Sequence, residues 1–375
     1  MVTVLILMTV SMRSVNNMIN TTLPPFSVFE FNFSSVLVGT ISAVIFGATL
    51  ISTTFLNPYL KREERRTVFR VASISIPFLL ALLYFSNAVF LWPLAVWSGI
   101  AFGIIVPNVI TAASQGGDRI TRERLLAIYS VSLSLSLVLG PSLQSYVLDV
   151  LSYRDIFLLF VPLGALSSVM SLLLPFPEFV KEQRGRSTLS NRGVVAAILS
   201  ITTYNVPFSA LTAFLAVYTE TAYHVQKGSE FVPFIVFFSV SFLTRLLLAA
   251  RPVRNIGPPL WISISITIVS LAMIPWAPNY TNFLLIMALL GVPHGTIFTF
   301  SSIMIARGTS LSERNAANSY FIAYGNALFV IVPVLFGLLS DYVGMGIAWS
   351  LLAIPSLMSG SLLFVKFRRD KLISA

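Results

Sequence analysis

Arg13 stands inside a long apolar run near the start of the chain, and its side chain has the most specific chemistry in the sequence. A guanidinium is permanently charged and offers five N–H donors in a planar fork, which suits a carboxylate, phosphate or sulfonate. Within a bilayer span an ionisable residue is costly and marks a functional position by default. Counted from the start of the chain, Arg13 would lie about 18 Å deep at ~1.5 Å per residue, near mid-bilayer. Asn16, Asn20 and Pro24 follow at helical steps, with Asn17 and Thr21 beside them, so one face carries a polar stripe. Either this stripe faces a water-accessible cavity and binds an anion, or Arg13 is satisfied by helix-end carbonyls or by a carboxylate on another helix.

A second polar face joins Asn205, Ser209 and Thr212, with Tyr204 adjacent. It can complete a binding wall or hydrogen-bond between helices. Pro293-His294-Gly295 interrupts another apolar run, as does Pro107-Asn108; such breaks permit bending. His294 is the deeply placed group that titrates near neutral pH, so it can carry a proton, contact an anion, or serve as a hydrogen-bonded structural residue. Phe231, Phe234, Phe238, Phe242 and Arg245 form an aromatic stripe that either faces inward, where it would suit lipophilic or aromatic compounds, or faces lipid or a neighbouring helix, with Arg245 free to snorkel. Glu30, Asp149, Asp155, Glu220, Glu230 and Asp341 are expected at outer ends. With no carboxylate expected at the midplane, Glu220 and His294 are the candidates for a coupling proton. With no cysteine and two histidines, the sequence has no disulfide framework or zinc centre. No cofactor is expected. No Walker-type phosphate loop is present, which argues against direct ATP drive, and no paired-acid motif supports enzymatic chemistry.

The elements that position these residues follow from composition. The 375 residues are 56% hydrophobic and 10% charged, against about 25% charged in soluble domains, and mean hydropathy is +0.86. Apolar runs fall near 2–25, 34–57, 67–87, 91–114, 125–148, 155–176, 193–219, 230–250, 257–277, 280–306, 316–340 and 345–366. These predict an all-α integral membrane protein with twelve transmembrane helices. The first run lacks a basic start and a small-residue cleavage pattern, so it is expected to stay as the first helix. All but Arg13, Arg154 and Lys227 of the 24 Lys and Arg residues fall on one side of this topology or in the tail. The positive-inside rule then puts both termini in the cytoplasm, and the plasma membrane is the expected location. The net charge of +10 is read as topology and attraction to the lipid bilayer, and nucleic acid is excluded as a partner because no polar basic module exists.

The chain repeats itself. A shift of 192 positions pairs Leu23 with Leu215, Gly99 with Gly291, Arg122 with Arg314, Pro141 with Pro333, Asp149 with Asp341 and Phe157 with Trp349. Three parts follow: residues 1–177, an N-terminal six-helix bundle; 178–192, a basic cytoplasmic linker; and 193–375, a C-terminal six-helix bundle. Between runs 2 and 3, Arg62, Arg65 and Arg66 follow Asn57 and Lys61; run 5 carries Arg122, Gly140 and Pro141, and Tyr153-Arg154-Asp155-Ile156-Phe157 comes after it. Ser132, Ser136 and Gly140 lay small side chains along one face.

With the duplication and the central basic loop, these motifs resemble the major facilitator superfamily along the whole chain. Arg62, Arg65 and Arg66 fall in register with that family's loop pattern, with Asn57 and Glu64 in place of glycines and Lys61 in place of the acid. Gly140-Pro141 is similar to the motif of its exporters, with serines at two stripe positions and Gln144-Ser145 in place of a glycine pair. The resemblance implies two pseudo-symmetric bundles and a secondary transporter of small organic solutes. Such a protein would work by rocking-bundle alternating access, with a proton or other coupling ion. Gly140-Pro141, Arg13 and the phenylalanine content lean the expectation toward efflux of anionic or amphipathic compounds, and the protein is expected to be a monomer. A transporter-like solute receptor or scaffold is the alternative, and an intramembrane enzyme acting on lipid-linked substrates is a third.

Overall fold

A computed structural model describes residues 2–56, 60–113, 119–175, 190–251, 253, 255–310 and 313–374. Among them there are helices and no strands. In chain order the α-helices are α1 (Val2–Phe31), α2 (Ser35–Ile51), α3 (Arg62–Tyr84), α4 (Leu91–Ala113), α5 (Arg119–Leu148), α6 (Tyr153–Leu173) and α7 (Arg192–Tyr223). They continue with α8 (Val232–Ala250), α9 (Gly257–Met273), α10 (Tyr280–Gly308), α11 (Arg314–Val343), α12 (Met345–Leu351), α13 (Ala353–Phe367) and α14 (Lys371–Ser374). Twelve helical stretches among the described residues are long and apolar enough to cross a membrane, the last made of α12 and α13 together. The all-α membrane architecture expected from the apolar runs is the one observed.

Helix ends follow local chemistry. Asn191 caps α7 by accepting the Gly193 N–H at 2.8 Å, and Asn279 caps α10 by accepting that of Asn282 at 2.9 Å. Before α6 the Asp155 carboxylate accepts the Ser152 N–H at 2.9 Å. Prolines sit inside α1, α3, α4, α5, α6, α7, α10 and α11 without ending them. In lipid, neighbouring groups satisfy the backbone that a proline frees, and no water competes for it. For the same reason α1 runs on through Pro24 and Pro25 to Phe31, beyond the expected end near residue 25.

Burial shows that lipid is the solvent. On α3 the inward residues Phe69, Ile76, Leu79 and Leu83 are buried, and the outward ones, Val71, Ile74, Phe78 and Leu82, are equally apolar and exposed. Contacts gather into two compact units, Met1–Val180 with Gln226–Val232, and Lys181–Val225 with Pro233–Ala375. In the first unit α1 packs on α5 and α6, α2 on α4, and α3 on α6. In the second, α7 packs on α10, α11 and α13, and α9 on α10 and α13. The short connection after α7 thus belongs to the first unit, although the helices on both sides of it belong to the second. Most of the expected 178–192 linker lies outside the described residues.

Candidate functional site

In the first unit the polar stripe of α1 lies along α5. Arg13 is half-buried, and its Nη2 and Nε donate to the Tyr129 hydroxyl at 2.5 and 3.2 Å. Its guanidinium carbon lies 5.9 Å from the centre of the Tyr129 ring. Among the described residues no carboxylate lies within ion-pair distance of Arg13. Its partner is neutral, so its full charge and several of its donors remain uncommitted. Asn16 is also half-buried. Near it, Asn17 Nδ2, Asn20 Oδ1 and Ser14 Oγ are buried with no hydrogen-bond partner among the described residues. Buried amides are seldom left this way. One short length of α1 therefore offers a cation, an amide donor and an amide acceptor.

The α5 side of this contact is set by spacing. Tyr129, Ser132, Ser136, Gly140 and Gln144 advance by three or four residues and so share one face of α5, and Tyr129, Gly140 and Gln144 on it meet α1. A Cβ on Gly140 would lie 3.3 Å from Asn17 Nδ2. Pro141 beside it is buried. Gln144 is fully buried; its amide donates to Thr22 Oγ1 at 2.5 Å and to Thr21 Oγ1 at 2.9 Å. Tyr129 was not singled out in the sequence, and Gln144 was noted only as a departure from a glycine pair, although the two extend the Ser132-Ser136-Gly140 stripe at both ends.

The second unit places its polar group in an aromatic box. His294 of α10 is 8% exposed, and its Nδ1 is joined to the Tyr204 hydroxyl of α7 by a hydrogen bond whose direction the imidazole tautomer sets. The rings of Phe208, Phe237 and Phe238 lie 4.5, 5.0 and 5.5 Å from the imidazole. Arg245 does not snorkel away. Its Nη2 donates to the His294 carbonyl at 3.3 Å. Phe231, Phe234 and Phe238 are buried, so these positions of the stripe do not face lipid. Asn205 is half-buried with its amide beside Gly325. Ser209 and Thr212 turn back on their own helix, donating to Val206 and Phe208 carbonyls. None of these three hydrogen-bonds to His294.

The basic motif between α2 and α3 is described in part. Arg65 is buried, whereas Arg66 forms an exposed 3.8 Å ion pair with Glu63, of a kind that contributes little stability. The side chains of Arg62 and Arg122, and residues 57–59, lie outside the described residues. At the opposite end of this unit Arg154 gathers three elements. It pairs with Glu30 at 3.1 Å and donates to the carbonyls of Tyr84 and Ser86 at 2.8 and 2.9 Å. Glu230, expected at an outer end, lies in the connection between α7 and α8 and is buried there, 2% exposed, where it accepts the Tyr153 hydroxyl at 2.5 Å. That burial depends on the connection after α7 folding onto the first unit, which local hydropathy does not encode.

The sequence pattern of the Major Facilitator Superfamily matches residues 5–290. None of the curated proteins matches. Among solved structures, the nucleoside transporter NupG is 14% identical with a TM-score of 0.70, over 98% of each chain. A bacterial homolog of the human lysosomal transporter Spinster, inward-facing and occupied, is 12% identical with a TM-score of 0.77, over 97% of this chain and 95% of that one. A POT family transporter in complex with 5-aminolevulinic acid is 10% identical with a TM-score of 0.79, again over 97% and 95%. At such identities the likeness speaks for the fold. The match over three quarters of the chain shows the family, and this multi-pass membrane protein belongs to the Major Facilitator Superfamily.

Proposed function

We propose that this chain is a secondary transporter of small organic anions or amphipathic acids, with Arg13 holding the anionic group. One observation carries the reading: a guanidinium on a membrane-spanning helix is held by a neutral tyrosine and, among the described residues, by no carboxylate. A half-buried cation without a counter-charge loses part of its hydration, and an anionic ligand that completes its hydrogen bonds offsets that loss. Asn17 and Asn20 supply the adjacent polar atoms, with Asn16 at the edge of the stripe. His294, Asn205 and Ser209 are the second unit's candidate substrate residues.

Rocking-bundle alternating access, driven by a proton or other coupling ion, would move the solute, and no step calls for an enzyme. Arg65, Arg66, Arg62, Arg122, Gly140 and Pro141 are assigned to gating; the Gly-Pro motif supports export, and the distribution of Lys and Arg supports cytoplasmic termini, with the plasma membrane as the assigned site. The test is uptake of labelled organic anions by sealed proteoliposomes bearing the wild type or Arg13→Gln. The proposal expects relocation of unaltered anion by the wild type alone. Chemical alteration of the anion, or retention of no more than a stoichiometric amount, would replace transport by an enzyme or a receptor.

A further inference from the structure

The end of the second unit where α7 begins and α13 finishes carries a positively charged cavity separate from the candidate substrate residues. Its volume is about 420 Å³ and it is lined by Arg192, Val365, Lys366, Arg368, Arg369 and Asp370, a size within the range of ordinary ligand sites. The one carboxylate in it is already engaged. Asp370 Oδ2 pairs with Arg192 Nη2 at 2.5 Å, and its Oδ1 accepts the Leu372 N–H at 3.0 Å. Two of the cations are held over rings, Arg192 over Phe367 at 5.7 Å and Arg368 over Phe364 at 5.1 Å. The charge left facing the cavity is therefore that of Lys366, Arg368 and Arg369.

What lies next to this cavity points to its occupant. The membrane-spanning stretch ends at Phe367. Its outward face runs through Ile354, Leu357, Met358, Leu362 and Val365, all apolar and exposed, with Val365 lining the cavity itself. An apolar surface that ends in a cluster of cations matches a molecule with hydrocarbon chains joined to an anionic head. The chain's positive-inside charge places this end at the leaflet where anionic lipids gather. We propose that this cavity binds the phosphate headgroup of an anionic phospholipid, with its acyl chains along the outward face of α13. The inference is independent of what the protein transports.

The test counts lipid retained by the purified full-length protein in neutral detergent, by native mass spectrometry over a salt series. The probes are dioleoylphosphatidylglycerol, dioleoylphosphatidylcholine and inorganic phosphate. The anionic lipid is expected to bind more tightly than the zwitterionic one and to weaken as salt rises. The triple variant Lys366→Gln, Arg368→Gln, Arg369→Gln should lose roughly fivefold per cation, on the order of a hundredfold in all. The charge-preserving pair Arg368→Lys, Arg369→Lys should keep wild-type retention and so controls for misfolding. Equal retention of the two lipids overturns the assignment, as does full displacement of the anionic lipid by an equal concentration of inorganic phosphate. Loss in the charge-preserving pair as large as in the triple variant also overturns it.

Discussion

Compared across the 192-residue shift, the two halves share their backbone joints and differ in their side-chain chemistry. A Cβ on Gly99 of α4 would lie 2.3 Å from the Ile45 carbonyl oxygen and 2.7 Å from the Ala48 Cβ. On Gly291 of α10 it would lie 2.5 Å from the Phe237 oxygen and 2.8 Å from the Val240 Cβ, both partners shifted by the same interval. One turn on, Gly103 meets Thr49 and Ser52, and Gly295 meets their counterparts Ser241 and Thr244. Where two helices cross with backbones in contact there is room for a hydrogen and nothing more. Around those joints the chemistry diverges. Arg13 corresponds to Asn205, Met12 to Tyr204 and Phe102 to His294. The first unit thus keeps an under-committed cation on α1, while the second encloses a neutral-partnered imidazole among phenylalanines. The comparison shows how one scaffold can hold two unlike polar sites, because the joints fix the helices and leave the faces free.

The largest test of this difference exchanges the polar residues. Arg13→Gln is expected to lower organic-anion transport in proteoliposomes by about 2–4 kcal/mol, roughly 30- to 1,000-fold, as when one member of a buried charged pair is lost. Asn205→Ala, at the corresponding position, should change it by less than about 1 kcal/mol, the net worth of one neutral hydrogen bond. Equal losses would erase the asymmetry. Next come the joints. Gly99→Ala and Gly291→Ala should each cost about 1–3 kcal/mol in denaturant unfolding, because neither backbone partner can move aside cheaply. Gly346→Ala, whose nearest neighbour would be 3.6 Å away, should stay within about 0.5 kcal/mol.

Smaller effects sharpen the picture. Gln144→Ala removes the amide that ties α5 to Thr21 and Thr22 and should cost about 1–2 kcal/mol; Tyr204→Phe, which removes one bond to His294, about 1 kcal/mol. The smallest belongs to Asp370. The Leu372 N–H, and then Arg192, hold its carboxyl below the usual carboxylate range. A depressed folded-state pKa contributes stability above the unfolded pKa, near 4, and loses it as pH falls through the folded value. Asp370→Asn should therefore flatten the acid limb of the unfolding curve below about pH 4 and change neutral-pH stability by under about 1 kcal/mol.

The sequence revealed the fold more readily than the contacts of the candidate site. Twelve apolar runs are visible because every backbone group in lipid must be satisfied within a helix, which forces long uninterrupted stretches. Gly99 and Gly291 stood out as a pair because glycine is rare in such stretches. Gly103 and Gly295 make the same joint one turn along. Arg13 was visible as a charge out of place, but its partner Tyr129 was not, since a tyrosine in an apolar run reads as an ordinary amphipathic residue. Gln144 read as a departure from a glycine motif, whereas its amide is a tie between helices. Glu230 could be placed at an outer end, but its burial could not be read. Its burial depends on a connection that joins two helices of one unit yet packs in the other, a long-range event with no local signature.

The central claim is that Arg13 is an anion-binding group and not only a prop for Tyr129. Thermal unfolding of purified wild type and Arg13→Ala, each with a panel of organic anions, lipophilic cations, sugars and peptides, tests it directly. A ligand at a hundredfold excess over its Kd stabilises by about 2.7 kcal/mol. The account predicts that organic anions raise the midpoint of the wild type and leave the variant unchanged. Stabilisation of both proteins to the same extent, by cations or neutral compounds, would contradict it and make Arg13 a structural residue.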